Sequence, residues 1–229
     1  MKNFFKSLNL LLVIIFPQTL FAETSIIKHN GISFNAPIPK GFCNITDDFY
    51  GQHLLDFLKQ SMKNANYAPT PKVIFANCNY LESEMYYPWG YIGVGKDTYP
   101  KNYSQDSLNK ELAYLFGQED FIEDMKSLVQ KDVGSAVEEI FEREGMNMNY
   151  NAIQNLNVVW ADENGFTINI LNSGNIDGEN HVELTHGTMS LLKQNIIYYY
   201  ITDEFSSGNN YKSTALKLIN NSEILQNIN

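Results

Sequence analysis

Four histidines, His29, His53, His181 and His186, are the side chains of this 229-residue sequence best suited to move a proton near neutral pH. Side chains alternate along a strand, so an extended 181–186 segment puts His181 and Glu183 on one face and His186 on the other. His181 and Glu183 with His53 are therefore the constellation in which a hydrolase-type base and its orienting partner, or a zinc site, could be assembled. The competing reading gives each of them an ordinary surface or capping role.

The only two cysteines, Cys43 and Cys78, lack Cys-x-x-Cys spacing and make a poor zinc cage. In an oxidising compartment they are expected to pair, closing 35 residues and stabilising the fold by about 4 kcal/mol on the chain-entropy model. Gly-x-Ser-x-Gly, phosphate-loop, Gly-x-Gly-x-x-Gly and His-Glu-x-x-His motifs are missing, so the sequence nominates no catalytic residue, no metal and no cofactor. Asp162-Glu163-Asn164-Gly165 and Asp177-Gly178-Glu179-Asn180 lack the alternating ligands and distal glutamate of a calcium loop and read as turns.

The most aromatic stretch runs from Tyr86 to Gly95. Tyr86, Tyr87, Trp89 and Tyr91 combine large contact area with polar edges, which suits a ligand- or partner-binding surface. Such a surface predicts rings exposed around a concave or flat patch with no converging polar side chains. The alternative is a core cluster beside a sheet.

The elements that must position these residues are legible in order. Met1 to Ala22 has the basic start, the apolar run Leu10–Phe16 and the small final residue of a secretory signal peptide. Removing it leaves 207 residues, expected to fold as a single domain, 23–229, in a secreted or periplasmic location. The run is too short to span a membrane, so no stable membrane insertion is expected after cleavage. With 16 Lys and Arg against 26 Asp and Glu, the formal charge is −10, and loss of Lys2 and Lys6 takes it to −12. That balance disfavours nucleic acid as a partner.

Asn30-Gly31 between Ser25–His29 and Gly31–Phe34 predicts a tight hairpin, ended by Pro37 and Pro39. Thr46-Asp47-Asp48 offers a cap to a helix over about 47–64, whose Leu54, Leu55, Leu58 and Met62 share a face. Lys72–Tyr80 reads as a buried strand. From Ser104 to Glu144 the apolar period becomes helical, giving two or three helices, with Ser135 and Glu138 as a capping box and Gly145 beyond the last turn. Strand pairs follow at 157–171 and 182–202, then an amphipathic helix. The fold class is α+β: an antiparallel β-sheet with helices packed against it, plus a helical insertion around 104–144.

Gly31-Ile32-Ser33-Phe34-Asn35-Ala36-Pro37, a strand running into proline, and Gln194-Asn195-Ile196-Ile197-Tyr198-Tyr199-Tyr200-Ile201 before a helix from about Asn210, resemble the PsbP-like α/β-sandwich superfamily. The helical block and the cysteine pair are additions to that pattern. The resemblance implies a noncatalytic module that binds a protein partner, and carries over no functional residue. The expected function is a noncatalytic secreted or periplasmic binding module for a protein or small ligand; the rival is a hydrolase-type enzyme using His53, His181 or Glu183.

Overall fold

The structure, a computed structural model, describes residues 23–79, 88–205 and 211–229. Residues 1–22, where the signal peptide is expected, and Tyr86 and Tyr87 lie outside the described residues.

An antiparallel hairpin opens the described chain, β1 (Thr24–His29) with β2 (Ile32–Pro37). Its turn places Asn30 at φ 47° and Gly31 at φ 79°, the left-handed geometry that this residue pair tolerates. Seven further strands form one antiparallel sheet: β3 (Phe42–Asn44), β4 (Thr70–Asn77), β5 (Trp89–Thr98), β6 (Met148–Ala161), β7 (Phe166–Ile176), β8 (Glu179–Leu192) and β9 (Asn195–Glu204). Their spatial order is β3-β4-β5-β9-β8-β7-β6. The β6–β7–β8–β9 run is a meander of tight hairpins, and β9 returns to pair with β5. Both acidic-glycine segments are turns: Asp162 Oδ1 accepts from the Asn164 and Gly165 amides at 2.9 and 3.0 Å, and Asp177 and Gly178 take φ of 50° and 93°.

The helical block enters between β5 and β6 as α2 (Gln105–Phe116), α3 (Glu119–Val129) and α4 (Ser135–Arg143). α3 and α4 are one continuous rod joined by a π turn at Gln130–Gly134. That continuity overturns the expected capping box at Ser135: Gly134 before it is already helical, so there is no free helix start to cap. Glu138 instead accepts the Tyr150 amide at 2.9 Å. Gln130 donates to the Tyr150 carbonyl at 2.7 Å and accepts from the Ala152 amide at 2.9 Å. β6 is an edge strand, and these two side chains occupy the backbone groups of Tyr150 and the amide of Ala152, which protects that part of the edge.

Helix α1 (Phe49–Ser61) lies inside the expected span. Its cap residue, Asp48, makes no side-chain cap hydrogen bond, and the Thr46 hydroxyl is drawn into the sheet instead, accepting from the Ile74 amide at 2.9 Å. The Cys43 and Cys78 sulfurs lie at bonding distance with Cα atoms 4.9 Å apart, tying β3 to the chain leaving β4. Gly145 follows α4 at φ 81°, as expected of a helix terminator.

Three layers result. One face of the sheet packs on the β1–β2 hairpin and the closing helix α5 (Tyr211–Asn227), where Phe75, Ile92, Ile197 and Tyr199 meet Leu218 and Leu225. The other face lies beneath α1 and the α2–α4 block. The architecture is α+β with the helical insertion where the sequence places it. Among the described residues no helix is long and apolar enough to cross a membrane.

Candidate functional site

Strand alternation directs Trp89 and Tyr91 of β5, Tyr198, Tyr200 and Thr202 of β9, and Thr185 and Met189 of β8 toward the α1–α4 side. These side chains form the floor of a cavity of about 800 Å³ between the sheet and the helices. That volume lies in the range of small-molecule sites, roughly 300–1,000 Å³. The roof comes from two helices that touch through Phe57 and Phe141, whose rings meet edge-on at 6.4 Å. α1 contributes Leu54, Phe57 and Leu58, and the α3–α4 rod contributes Met125, Val129, Val133, Val137 and Ile140.

A glycine arranges the floor. In the register Ile168–Gly187–Tyr200–Tyr91, the Tyr200 ring lies over Gly187, where a Cβ would come within 2.5 Å of it. From there Tyr200 stacks on Tyr91 at 5.0 Å and on Tyr198 at 6.2 Å between centroids. Burial pushes the Tyr198 phenol up to about 12 and holds those of Tyr91 and Tyr200 well above their ordinary range, so all three stay neutral hydrogen-bonding groups.

A polar row crosses the same floor. Asn172 Nδ2 donates to Thr185 Oγ1 at 3.2 Å, and the Thr185 and Thr202 hydroxyls are 3.0 Å apart. All three residues are buried. Thr202 pairs in register with Trp89. The two ends are unfinished: among the described residues, the buried Asn172 Oδ1 and Trp89 Nε1 have no hydrogen-bond partner. Buried polar atoms are normally paired; these two have almost no accessible surface, so they lie beneath the cavity lining and do not face its open space.

The residues nominated from sequence fall as follows. Trp89 is half-buried and Tyr91 is 7 % exposed, so Tyr91 is not part of an exposed patch, and the rings border an interior space with converging polar side chains. His53 on α1, with His181 and Glu183 on β8, line this same cavity. His53 and His181 are exposed, Glu183 is half-buried, and the His53 ring packs edge-on against Phe49 at 4.3 Å. Tyr150 stands close enough to Glu183 for that carboxylate to add to burial in raising its phenol. Among the described residues no three His, Cys, Asp or Glu side chains gather as a metal site. His186 points to the opposite face, as alternation requires. Sequence reasoning missed Asn172, Thr185 and Thr202; their signal was a polar residue at the inward position of three successive strands.

No family model matches the sequence, and no curated protein matches it. Among solved structures, it is similar to the Saccharomyces cerevisiae Ran-binding protein Mog1p at 10% identity and a TM-score of 0.34, over 90% of this chain and 94% of that one. The E65A mutant of Mog1 gives 10% identity and a TM-score of 0.33 over 90% and 94% of the two chains. The PsbP of Synechocystis sp. PCC 6803, from the superfamily that the sequence resembles, gives 10% identity and a TM-score of 0.32 over 90% of this chain and 91% of that one. At these scores the likenesses carry no argument about function, which is left to the geometry of the site.

Proposed function

We propose that this chain is a noncatalytic binding module that holds an apolar small molecule between its sheet and its helical layer. The observation that carries this reading is the apolar cavity of about 800 Å³ between the sheet and the helices. Trp89 and Tyr91 are floor residues of that site, and the same reading extends to Tyr86 and Tyr87 as neighbours in sequence. The sequence and the cystine support the setting: residues 1–22 serve as a leader, 23–229 act as one domain, and Cys43–Cys78 suits an oxidising secreted or periplasmic space. Mass measurement of the exported protein tests the cleavage after Ala22.

Binding is tested with 1-N-phenylnaphthylamine, a dye that brightens in apolar sites. Residues 23–229 are expected to brighten it saturably, and Ile170→Trp, which fills space beside the floor, to weaken it at least tenfold while circular dichroism is retained. A dye response that is absent in the wild-type chain, or unchanged in a folded Ile170→Trp chain, overturns the reading.

A hydrolase has one observation in its favour, that His53, His181 and Glu183 border the cavity. It predicts turnover of p-nitrophenyl decanoate that His181→Ala and Glu183→Gln both abolish. The binding reading predicts a rate no different from buffer.

A further inference from the structure

The cavity's lining also selects the shape of its ligand. Resting on the binding reading above, we propose that the occupant is a flat, multi-ring aromatic molecule, laid on the tyrosine floor and contacted by methionine thioethers, and not a flexible alkyl chain.

The floor supplies the first observation. Tyr200 and Tyr198 both lean over strand positions that carry no side chain on this face: a Cβ would stand 2.5 Å from the Tyr200 ring at Gly187 and 3.4 Å from the Tyr198 ring at Gly95. The two rings are within 10° of parallel, and the Tyr91 ring is within 27° of Tyr200. Tyr198, Tyr200 and Trp89 are half-buried, so ring surface stays open to the cavity that they line. Rings of near-common orientation favour an aromatic ligand stacked on them with an offset, because the attraction between π systems adds to the apolar contact that any ligand would make.

The walls supply the second. Of the seven methionines in the sequence, Met1 and Met85 lie outside the described residues, and all the others line this cavity. They arrive from separate elements: Met62 just past α1, Met125 on α3, Met146 before β6, Met148 at its start and Met189 on β8. Leucine or valine would give an alkyl chain the same apolar wall. What the thioether adds is a polarisable sulfur that makes favourable contacts with ring edges, on an unbranched side chain that adjusts to the outline it meets. Floor and walls therefore each offer an aromatic ligand something that an alkyl chain cannot use.

The test compares two probes that share a primary alcohol head, 2-naphthalenemethanol and 1-octanol, by isothermal titration calorimetry on residues 23–229. Octanol is at least as hydrophobic, so simple partition into an apolar space does not favour the ring. Naphthalenemethanol is expected to bind about tenfold tighter. Tyr200→Leu, with circular dichroism retained, is expected to weaken naphthalenemethanol about fivefold and leave octanol unchanged. A Met125→Leu, Met148→Leu double variant keeps the apolar volume and is expected to shrink the preference for the ring about threefold. Octanol binding as tightly as naphthalenemethanol, or naphthalenemethanol failing to bind a chain that brightens the dye, overturns the ligand class while leaving the cavity reading intact. So does an unchanged preference in both folded variants. Failure of both probes to bind, with no dye response, removes the cavity reading itself.

Discussion

The two faces of the seven-stranded sheet are made by the same strands and are built differently. On the α5 side, Phe75, Ile92, Val94, Ile197, Tyr199 and Ile201 are completely buried against Leu218 and Leu225. One residue along the same strands, Tyr91, Tyr198 and Tyr200 face a cavity of about 800 Å³. Alternation thus lets each strand serve packing with one set of residues and a site with the other. The large space on one side is affordable because the opposite side is filled.

The most direct way to break that comparison is a matched pair of truncations. Phe75, fully buried and edge-on to Phe42 at 5.3 Å, loses its packing on every side in Phe75→Ala, which is expected to cost about 3–5 kcal/mol. Ile170 already faces empty space, so part of its contact surface has no partner to lose. Ile170→Ala is expected to cost about 1 kcal/mol. Urea denaturation of both variants measures the difference, and equal losses would show that the helical face is as tightly packed as the other.

Local chemistry made much of the fold readable. Asn30-Gly31 announces its own turn, and the leucines of α1 and the strand from Lys72 carry their periods openly. The alternation of Tyr198, Tyr199 and Tyr200 was also readable, but with layers on both faces none of the three reaches the exposed surface. The π turn left no trace, because its i to i+5 bond from Ser135 to Gln130 interrupts neither the apolar spacing nor the composition. Nor was the cavity visible, since it depends on how far the α3–α4 rod stands from the sheet, and that distance follows from Gln130 and Glu138 gripping β6 rather than from any local pattern. The polar row was within reach: Asn172, Thr185 and Thr202 interrupt apolar strands at inward positions, and only the strand order was needed to join them.

A smaller effect sharpens the comparison from the packed side. His186, 1 % exposed, sits between Asn169 of β7 and Ile201 of β9 in register, and burial lowers its imidazole from 6.5 to about 4. The folded state therefore favours the neutral ring more than the unfolded state does. This contribution is fully present above pH 6.5, declines as the pH falls and is gone below about 4. It corresponds to about 3 kcal/mol at 1.36 kcal/mol per unit. Because carboxylates also respond to acid, the measurement is the difference between wild-type and His186→Leu chains in urea at pH 7 and pH 4. The variant is expected to lose less stability over that interval, and parallel losses would mean that water reaches the ring.

A modest predicted effect on stability accompanies the sharpest effect on the site. Gly187 has ordinary backbone geometry, so an alanine there is not strained by φ; the obstacle is the Tyr200 ring, 2.5 Å from where the Cβ would stand. The neighbour is a side chain, so it can move, and the direction open to it is into the cavity above the floor. Gly187→Ala is accordingly expected to cost about 1–3 kcal/mol from overpacking, less than Phe75→Ala. Yet it displaces the ring that stacks on both Tyr91 and Tyr198, and is expected to weaken dye binding at least tenfold. A Gly187→Ala protein that melts lower but binds the dye unchanged would detach the tyrosine stack from the binding surface, leaving the Asn172 row as the part of the floor that contacts ligand.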